Sequence, residues 1–285
     1  MRIKSIVIFA FTVALFTSCG GADKESKTEE ATAESTDSIV EEVVEEPSFL
    51  VKSIEINHDV AGDNKVTFEY DELDRLIKAT SHRNIGTDSE WTIESTVTYG
   101  DGVITCDANM RKLELTLDGD GFVKKSEYIS EGEGIVQRYK YKSGKLSECI
   151  DEMDCGNSYL WDGGNVNIIK VFSPSCEESF SFDSTFYKYG DVDRPNIDVL
   201  AFVNEFCFLP DATSVAPKGL VSKFMPMESK TDVYNDGGVI MATTIIEYTY
   251  TVDDFQRLTD IEYNVKAYYD GDEEDLGNVT VKVNY

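Results

Sequence analysis

Four residues at one turn offer the clearest constellation for recognition chemistry: Tyr159, Trp161, Asp162 and Asn165. An aromatic ring stacks on the apolar face of a sugar while neighbouring carboxylates and amides bind its hydroxyls. This cluster is therefore the candidate ligand-binding site, with Trp91 as a further aromatic on another strand; the competing use of Tyr and Trp at alternating positions is as core. Reactive chemistry is harder to place. A glycosidase needs only a pair of carboxylates, but in so acidic a chain no pair stands out, and turn or surface roles account for most of them. There is no Gly-x-Ser-x-Gly elbow. His82 follows Ser81 without an acid partner, and His58 and His82 are both expected in loops. Asp118-Gly119-Asp120-Gly121 opens like a calcium loop, but Ile129 stands where the closing Glu belongs, so turn chemistry is the better reading. With 2 histidines and no Cys-x-x-Cys, the chain is expected to hold no metal and no cofactor, and it reads as a non-enzyme.

The amino terminus carries a different chemistry. Arg2 and Lys4 precede an uncharged apolar run over residues 6–16, followed by Thr17-Ser18-Cys19-Gly20-Gly21. Cations, a short apolar stretch and small residues at a cleavage point make a secretory signal. Its run of about 11 residues is well short of the roughly 20 that a membrane-spanning helix needs. The small residues before Cys19 resemble the lipobox of bacterial lipoproteins, with Phe16 replacing the commoner Leu. That resemblance implies a signal peptide over residues 1–18, lipid on Cys19, acylation of the new terminus, and an outer-membrane lipoprotein held at the periplasmic face or the cell surface. Residues 19–47 are rich in Ala, Ser, Thr and Glu and hold no aromatic side chain. Such a segment buries too little apolar surface to order itself, and as a flexible stalk it spans about 30 Å. Within it Asp37-Ser38-Ile39 resembles the sequon at which Bacteroides-type bacteria O-glycosylate exported proteins, which makes Ser38 a candidate site. Asp23 and Glu25 loosely resemble the surface-export signal of such lipoproteins, and serve equally well as a solvated linker.

A formal net charge of −28 excludes a basic stripe for phosphates, so nucleic acid is not an expected partner. Anionic lipid surfaces are disfavoured for the same reason. Neutral or cationic partners remain: glycans, peptides, other proteins or metal ions. Beyond the anchor stand Cys106, Cys149, Cys155, Cys176 and Cys207, an odd set for an oxidising compartment. Cys149 and Cys155 flank a turn-like Asp151-Glu152-Met153-Asp154 and are the candidate disulfide across a hairpin.

The remainder, residues 48–285, must position these groups. Val66-Thr67-Phe68-Glu69-Tyr70, Leu113-Glu114-Leu115-Thr116-Leu117 and Ile246-Glu247-Tyr248-Thr249-Tyr250 alternate apolar and polar residues, the pattern of strands with one wet face. A recurring turn interrupts them: Tyr70-Asp71-Glu72-Leu73-Asp74-Arg75-Leu76, Leu117-Asp118-Gly119-Asp120-Gly121-Phe122-Val123, and Val252-Asp253-Asp254-Phe255-Gln256-Arg257-Leu258. Shorter relatives are Tyr99-Gly100-Asp101-Gly102-Val103, Tyr141-Lys142-Ser143-Gly144-Lys145-Leu146 and Trp161-Asp162-Gly163-Gly164-Asn165-Val166. Asp caps such a turn, and the later Gly or Asp accepts positive φ. The spacing predicts strands of about six to eight residues in an all-β antiparallel meander of repeated hairpins. To hide its edges the sheet curls into a barrel-like or half-barrel form. A membrane barrel needs an uncharged outer face, whereas Val123-Lys124-Lys125-Ser126-Glu127-Tyr128 is charged. Residues 196–206, long, apolar and flanked by prolines, predict one short helix capped near Asn196 or Asp198, plugging an opening.

The lipobox, the Tyr-Asp hairpins, the break at Asn196-Ile197-Asp198 and Gly219-Leu220-Val221-Ser222-Lys223-Phe224-Met225-Pro226 together resemble a family of Bacteroides-type lipoproteins with a porin-like β fold over residues 50–285. The hairpins also resemble the Tyr-Asp repeats of the far longer Rhs-like shells. Neither resemblance supplies catalytic residues. The residues are read as a non-enzymatic, envelope-anchored domain that binds a glycan, a small molecule or a protein, with a structural or assembly role and a hydrolase as the other readings.

Overall fold

The computed structural model of the chain describes residues 48–58, 63–109, 111–130, 133–172, 182–203, 209–235, 237–269 and 272–285. Cys19, Ser38, Cys176 and Cys207 lie outside the described residues. One antiparallel sheet dominates. Its first half comprises β1 (Ser53–His58), β2 (Asp63–Tyr70), β3 (Leu76–Ile85), β4 (Trp91–Tyr99), β5 (Val103–Ala108), β6 (Arg111–Leu117), β7 (Val123–Ser130) and β8 (Glu133–Lys142). The second half adds β9 (Lys145–Asp151), β10 (Gly156–Asp162), β11 (Asn165–Phe172), β12 (Phe182–Asp193), β13 (Phe224–Tyr234), β14 (Ile240–Val252), β15 (Leu258–Tyr269) and β16 (Asp272–Asn284). Each strand pairs with its sequence neighbour, and β1 pairs with β16, so the meander is a closed barrel rather than a half-barrel. Closure leaves no exposed edge.

Alternation decides which face turns inward. Val66 and Phe68 of β2, Ile93 and Val97 of β4, and Val279, Val281 and Val283 of β16 are buried, while their sequence neighbours face solvent. The closing seam sets Ile54 opposite Val283 and Ile56 opposite Val281. Each such side chain taken out of water contributes about 1.5–3 kcal/mol. The outer wall carries cross-strand and same-strand ion pairs instead: Lys65–Glu55 at 2.9 Å, Lys78–Glu94 at 3.0 Å, Lys125–Glu127 at 2.9 Å and Lys140–Glu148 at 2.7 Å. The strands exceed the expected length in the second half, where β14 and β16 run to 13 residues. The histidines expected in loops lie in strands: His58 ends β1, and His82 sits on the exposed face of β3, where the alternation admits a polar side chain.

The repeated turn has one geometry. Asp71 Oδ1 accepts from the backbone N–H of Leu73 and Arg75, both at 3.0 Å, and Asp74 takes φ 59°. Asp118 binds Asp120 and Phe122 in the same way, with Gly121 at φ 83°; Asp253 binds Phe255 and Arg257, with Gln256 at φ 63°. Asp151 and Asn235 repeat it at 2 further hairpins, Asp151 holding Met153 and Cys155, Asn235 holding Gly237 and Val239. The side chain thus fixes the turn that its residue begins, and the calcium-like spelling at Asp118 is turn chemistry.

Because strands alternate in direction, hairpins leaving even-numbered strands share one end of the barrel with Ser48 and Tyr285. There Arg257 Nη1 donates to Ser48 O at 2.6 Å and the guanidinium lies 4.8 Å from the Tyr285 ring. The segment between β12 and β13 closes this proximal end. It holds α1 (Val199–Val203) and α2 (Ala212–Val215), two short turns of helix in place of the single one expected. Ile197, Val199, Phe202 and Leu220 bury themselves against the wall, and Phe202 meets Phe68 edge-on at 5.0 Å between ring centroids. Polar ties complete the seal. Asn196 accepts from Val51 N–H at 3.0 Å, Arg83 Nη2 donates to Phe202 O at 3.0 Å, and Leu146 N–H donates to Gly219 O at 2.8 Å. Gly219, at φ 74°, sits where a Cβ would come 2.7 Å from Gly144 O, so only glycine fits.

Candidate functional site

The four residues of the expected sugar site do not converge. Trp161 Nε1 donates to Leu146 O at 2.6 Å, and its ring packs against the core with Lys145 Nζ 5.1 Å from the centroid. Asn165 Oδ1 accepts from Phe224 N–H at 3.0 Å, tying the first residue of β13 to that of β11. Asp162 is exposed at the β10–β11 hairpin. Tyr159 alone reaches a cavity. The reason is the hairpin itself: Gly163 and Gly164, both at positive φ, bend the chain tightly where the plug crosses, so an aromatic that looks exposed in sequence becomes a strut.

The Cys149–Cys155 bridge is not formed, because Cys149 is a free thiol. Strand register explains it: Cys149 faces Asn157, while Cys155 pairs through its carbonyl with Asp151 N–H in the turn, so the two side chains stand at different levels. Gly156 lies so close to the Cys149 carbonyl that a Cβ would fall 2.0 Å from the oxygen. Burial pushes the Cys149 thiol up to about 11, which keeps it protonated and unreactive.

The cavity into which Tyr159 and Cys149 project has a volume of about 550 Å³. Its wall is the inner face of β6 to β10, with Leu115, Tyr139 and Tyr159 at mid-height. Its floor is the plug, through Leu209, Asp211, Thr213 and Leu220. Ile135 and Asn157 line it near the distal ends of β8 and β10, so it runs from the plug toward the distal end, away from Ser48. Ile135 points inward yet is 59% exposed, an apolar lip on an open mouth.

The lining is almost uncharged. Burial pushes Tyr159 up to about 12 and Tyr139 higher, so both hydroxyls stay protonated and bond as neutral groups; Tyr139 Oη lies 3.2 Å from Ser126 Oγ. Across the barrel a second set of tyrosines fills the interior, with Tyr248 and Tyr263 ring centroids 5.4 Å apart and Tyr187 and Tyr189 6.1 Å apart. Among the described residues, one carboxylate reaches the cavity. Asp211 caps α2, its Oδ1 accepting from Ser214 N–H at 3.1 Å and from Thr213 Oγ1 at 2.7 Å. Burial, and next the nearby Asp198, hold its carboxyl above the usual range. Asp198 is itself paired with Arg194. Sequence reasoning passed over Tyr139 and Asp211. The alternation Ile135, Gln137, Tyr139 was readable as an inward face; nothing local said that Asp211 would lie beneath it.

No protein-family model matches the sequence, and no curated protein does. Solved structures match by shape. A porin-like protein from Bacteroides uniformis ATCC 8492 superposes with a TM-score of 0.60 at 14% identity, covering 82% of this chain and 97% of that one. A porin-like protein from Bacteroides vulgatus ATCC 8482 gives 0.53 at 16% identity, covering 83% and 98%. At such identities the likeness is one of fold: the closed 16-strand barrel of this chain is similar in fold to those porin-like proteins.

Proposed function

We propose that the chain is an envelope lipoprotein whose barrel is a non-catalytic binding cup for a small, largely apolar molecule, lipidated at Cys19 and held at the outer membrane. The observation that carries this reading is the cavity of about 550 Å³, floored by the plug and open at the end remote from Ser48. Its volume lies within the roughly 300–1,000 Å³ of ligand sites, and its apolar wall with a few polar groups is the usual composition of one. The polarity of the barrel supports a place in water. A membrane barrel turns its apolar face outward and costs about 2–4 kcal/mol for each Lys at mid-bilayer; here Val66, Val97, Leu115, Val279 and Val281 are buried inside while Lys65 and Lys125 pair with carboxylates on the outer wall. A plugged end also suits a cup better than a channel. Asp211 is the one carboxylate of the lining among the described residues, short of the pair that glycoside hydrolysis uses.

A thermal-shift screen of the chain lacking residues 1–19 against alkyl chains, sterol-like ligands and glycans tests the cup, since a molecule that binds only the folded state raises its midpoint. A saturable rise that disappears in Gln137→Trp, which fills the cavity below its lip, is the expected result. Silence across the panel, or shifts indifferent to that substitution, would remove the reading.

A second reading, a protein partner, is favoured by one surface feature. Leu160, Ile168 and Phe186 face one another in register across β10, β11 and β12, and Leu160 and Phe186 are 51% and 37% exposed. Such a row on an otherwise charged wall is an interaction surface. Release of a co-purifying protein by Leu160→Lys would support it.

A further inference from the structure

The floor of the cavity is not symmetric in charge, and this narrows what the cup can hold. Asp211 reaches the cavity with Oδ1 already engaged by Ser214 N–H, Ser214 Oγ and Thr213 Oγ1, whereas Oδ2 makes no hydrogen bond among the described residues. Arg194 is committed to Asp198. Above the floor the wall offers Leu113, Leu115 and Leu146, with neutral phenols at Tyr139 and Tyr159. Among the described residues of the lining no cation meets that carboxylate to stabilise its charge.

We propose, on the basis of the binding-cup reading, that the cavity takes an apolar chain led by an ammonium group, with Oδ2 of Asp211 as its counter-charge and hydrogen-bond acceptor. The chain lies along the leucines and the two phenols while the cationic head meets the floor. The whole molecule selects for the same sign. A net charge of −28 concentrates cations near the mouth and repels anions. An anionic head, such as that of a fatty acid, would set like charges together at Asp211 in a medium that screens them poorly. A neutral alcohol fits the wall but leaves the carboxylate without a cation.

The test uses the chain lacking residues 1–19, which keeps β1 and β16, the two strands whose pairing closes the sheet. Dodecylammonium, dodecanol and dodecanoate, each below its micelle-forming concentration, are titrated calorimetrically. Dodecylammonium is expected to bind saturably, one per chain and at least tenfold tighter than the alcohol, with dodecanoate weakest. Asp211→Asn keeps the Oδ1 acceptor that caps α2 while removing the charge. It is expected to abolish the ammonium preference and leave alcohol binding unchanged. Dodecanoate binding as tightly as the ammonium chain, or an ammonium preference that survives Asp211→Asn, overturns the inference. Alcohol binding without any ammonium preference defeats it while sparing the cup; binding by none of the three defeats both.

Discussion

At the scale of single residues the same side-chain types serve different ends, and position in the register decides which. Trp161 closes a hydrogen bond to Leu146 O and packs on the core, so its replacement is a structural lesion. Trp161→Ala is expected to cost about 3 kcal/mol and to lower the thermal midpoint by roughly 6–12 °C. Binding to the cup should persist below that midpoint. Loss of binding with an unchanged midpoint would instead make Trp161 a ligand contact. The turn aspartates carry a pH signature. The Arg75 side chain, then backbone N–H groups, hold the Asp71 carboxyl below its usual range; at Asp253 partial desolvation works against the charge, but the Arg257 backbone and side-chain N–H groups outweigh it. A carboxylate whose folded pKa is depressed stabilises the fold above its unfolded pKa, near 3.9, and loses that contribution as pH falls through the folded value. The double variant Asp71→Asn, Asp253→Asn should therefore flatten the acid limb of a midpoint-against-pH curve below about pH 4. Coincident acid limbs in parent and variant would show that the Arg pairings contribute nothing. Asp211 has the opposite sign: its raised pKa gives stability at low pH that is lost as pH rises through the folded value.

At the scale of elements, what is spelled locally was legible and what closure assembles was not. Asp71, Asp118 and Asp253 begin their turns and bind the very backbone groups that close them, so a short window of sequence contains the whole cause. The two-residue hairpin at Ser143 and Gly144, with φ 54° and 74°, is equally local. The β13–β14 turn at Asn235 obeys the same rule, but Asn stands where the repeat has Asp, and it went unread. The plug was legible as an interruption; its division into α1 and α2 was not, because helices of 5 and 4 residues carry too little periodicity to register. The site was the least legible part. Tyr139 on β8 and Asp211 in the plug meet only because 16 strands close around the segment between β12 and β13. Trp161 misled because an aromatic beside Asp-Gly-Gly looks solvent-facing until the plug is laid over it. The plug is held chiefly by Phe202 on Phe68 and by its carbonyl on Arg83. Phe202→Ala is expected to cost about 3–5 kcal/mol and to speed amide exchange in α1 and α2 more than in β14 or β15, as measured by hydrogen exchange. Uniform acceleration over the barrel would mean that plug and wall unfold as one unit.

At the scale of the whole molecule, the charge on the outer wall bears on which solvent the proposed cup would meet. The barrel shares its fold with porin-like proteins. In a transmembrane barrel the lipid-facing positions are an uninterrupted apolar band about 25 Å tall. Here those positions hold Lys65 and Glu55, Lys78 and Glu94, Lys125 and Glu127, Lys188 and Glu228, and Lys266 and Glu273, spread from β1 round to β16. At about 2–4 kcal/mol for a lysine at the bilayer midplane, burying several there would cost about as much as the 5–15 kcal/mol by which a domain is stable at all. A membrane attachment of this chain would then come from outside the barrel, as the proposed lipid on Cys19 would; one acyl chain holds a protein only marginally, and two or more hold it firmly. The two contributions separate in a flotation experiment. The chain lacking residues 1–19 should stay at the bottom of a density gradient with neutral liposomes, in detergent-free buffer, as a monodisperse species. The full-length chain expressed in a Gram-negative host should float with the membranes and lose that property on Cys19→Ala. Flotation of the shortened chain would mean that the charged wall rearranges to meet lipid, and the cup would then have to be reconsidered as a pore; flotation of neither would leave the lipobox resemblance without a consequence.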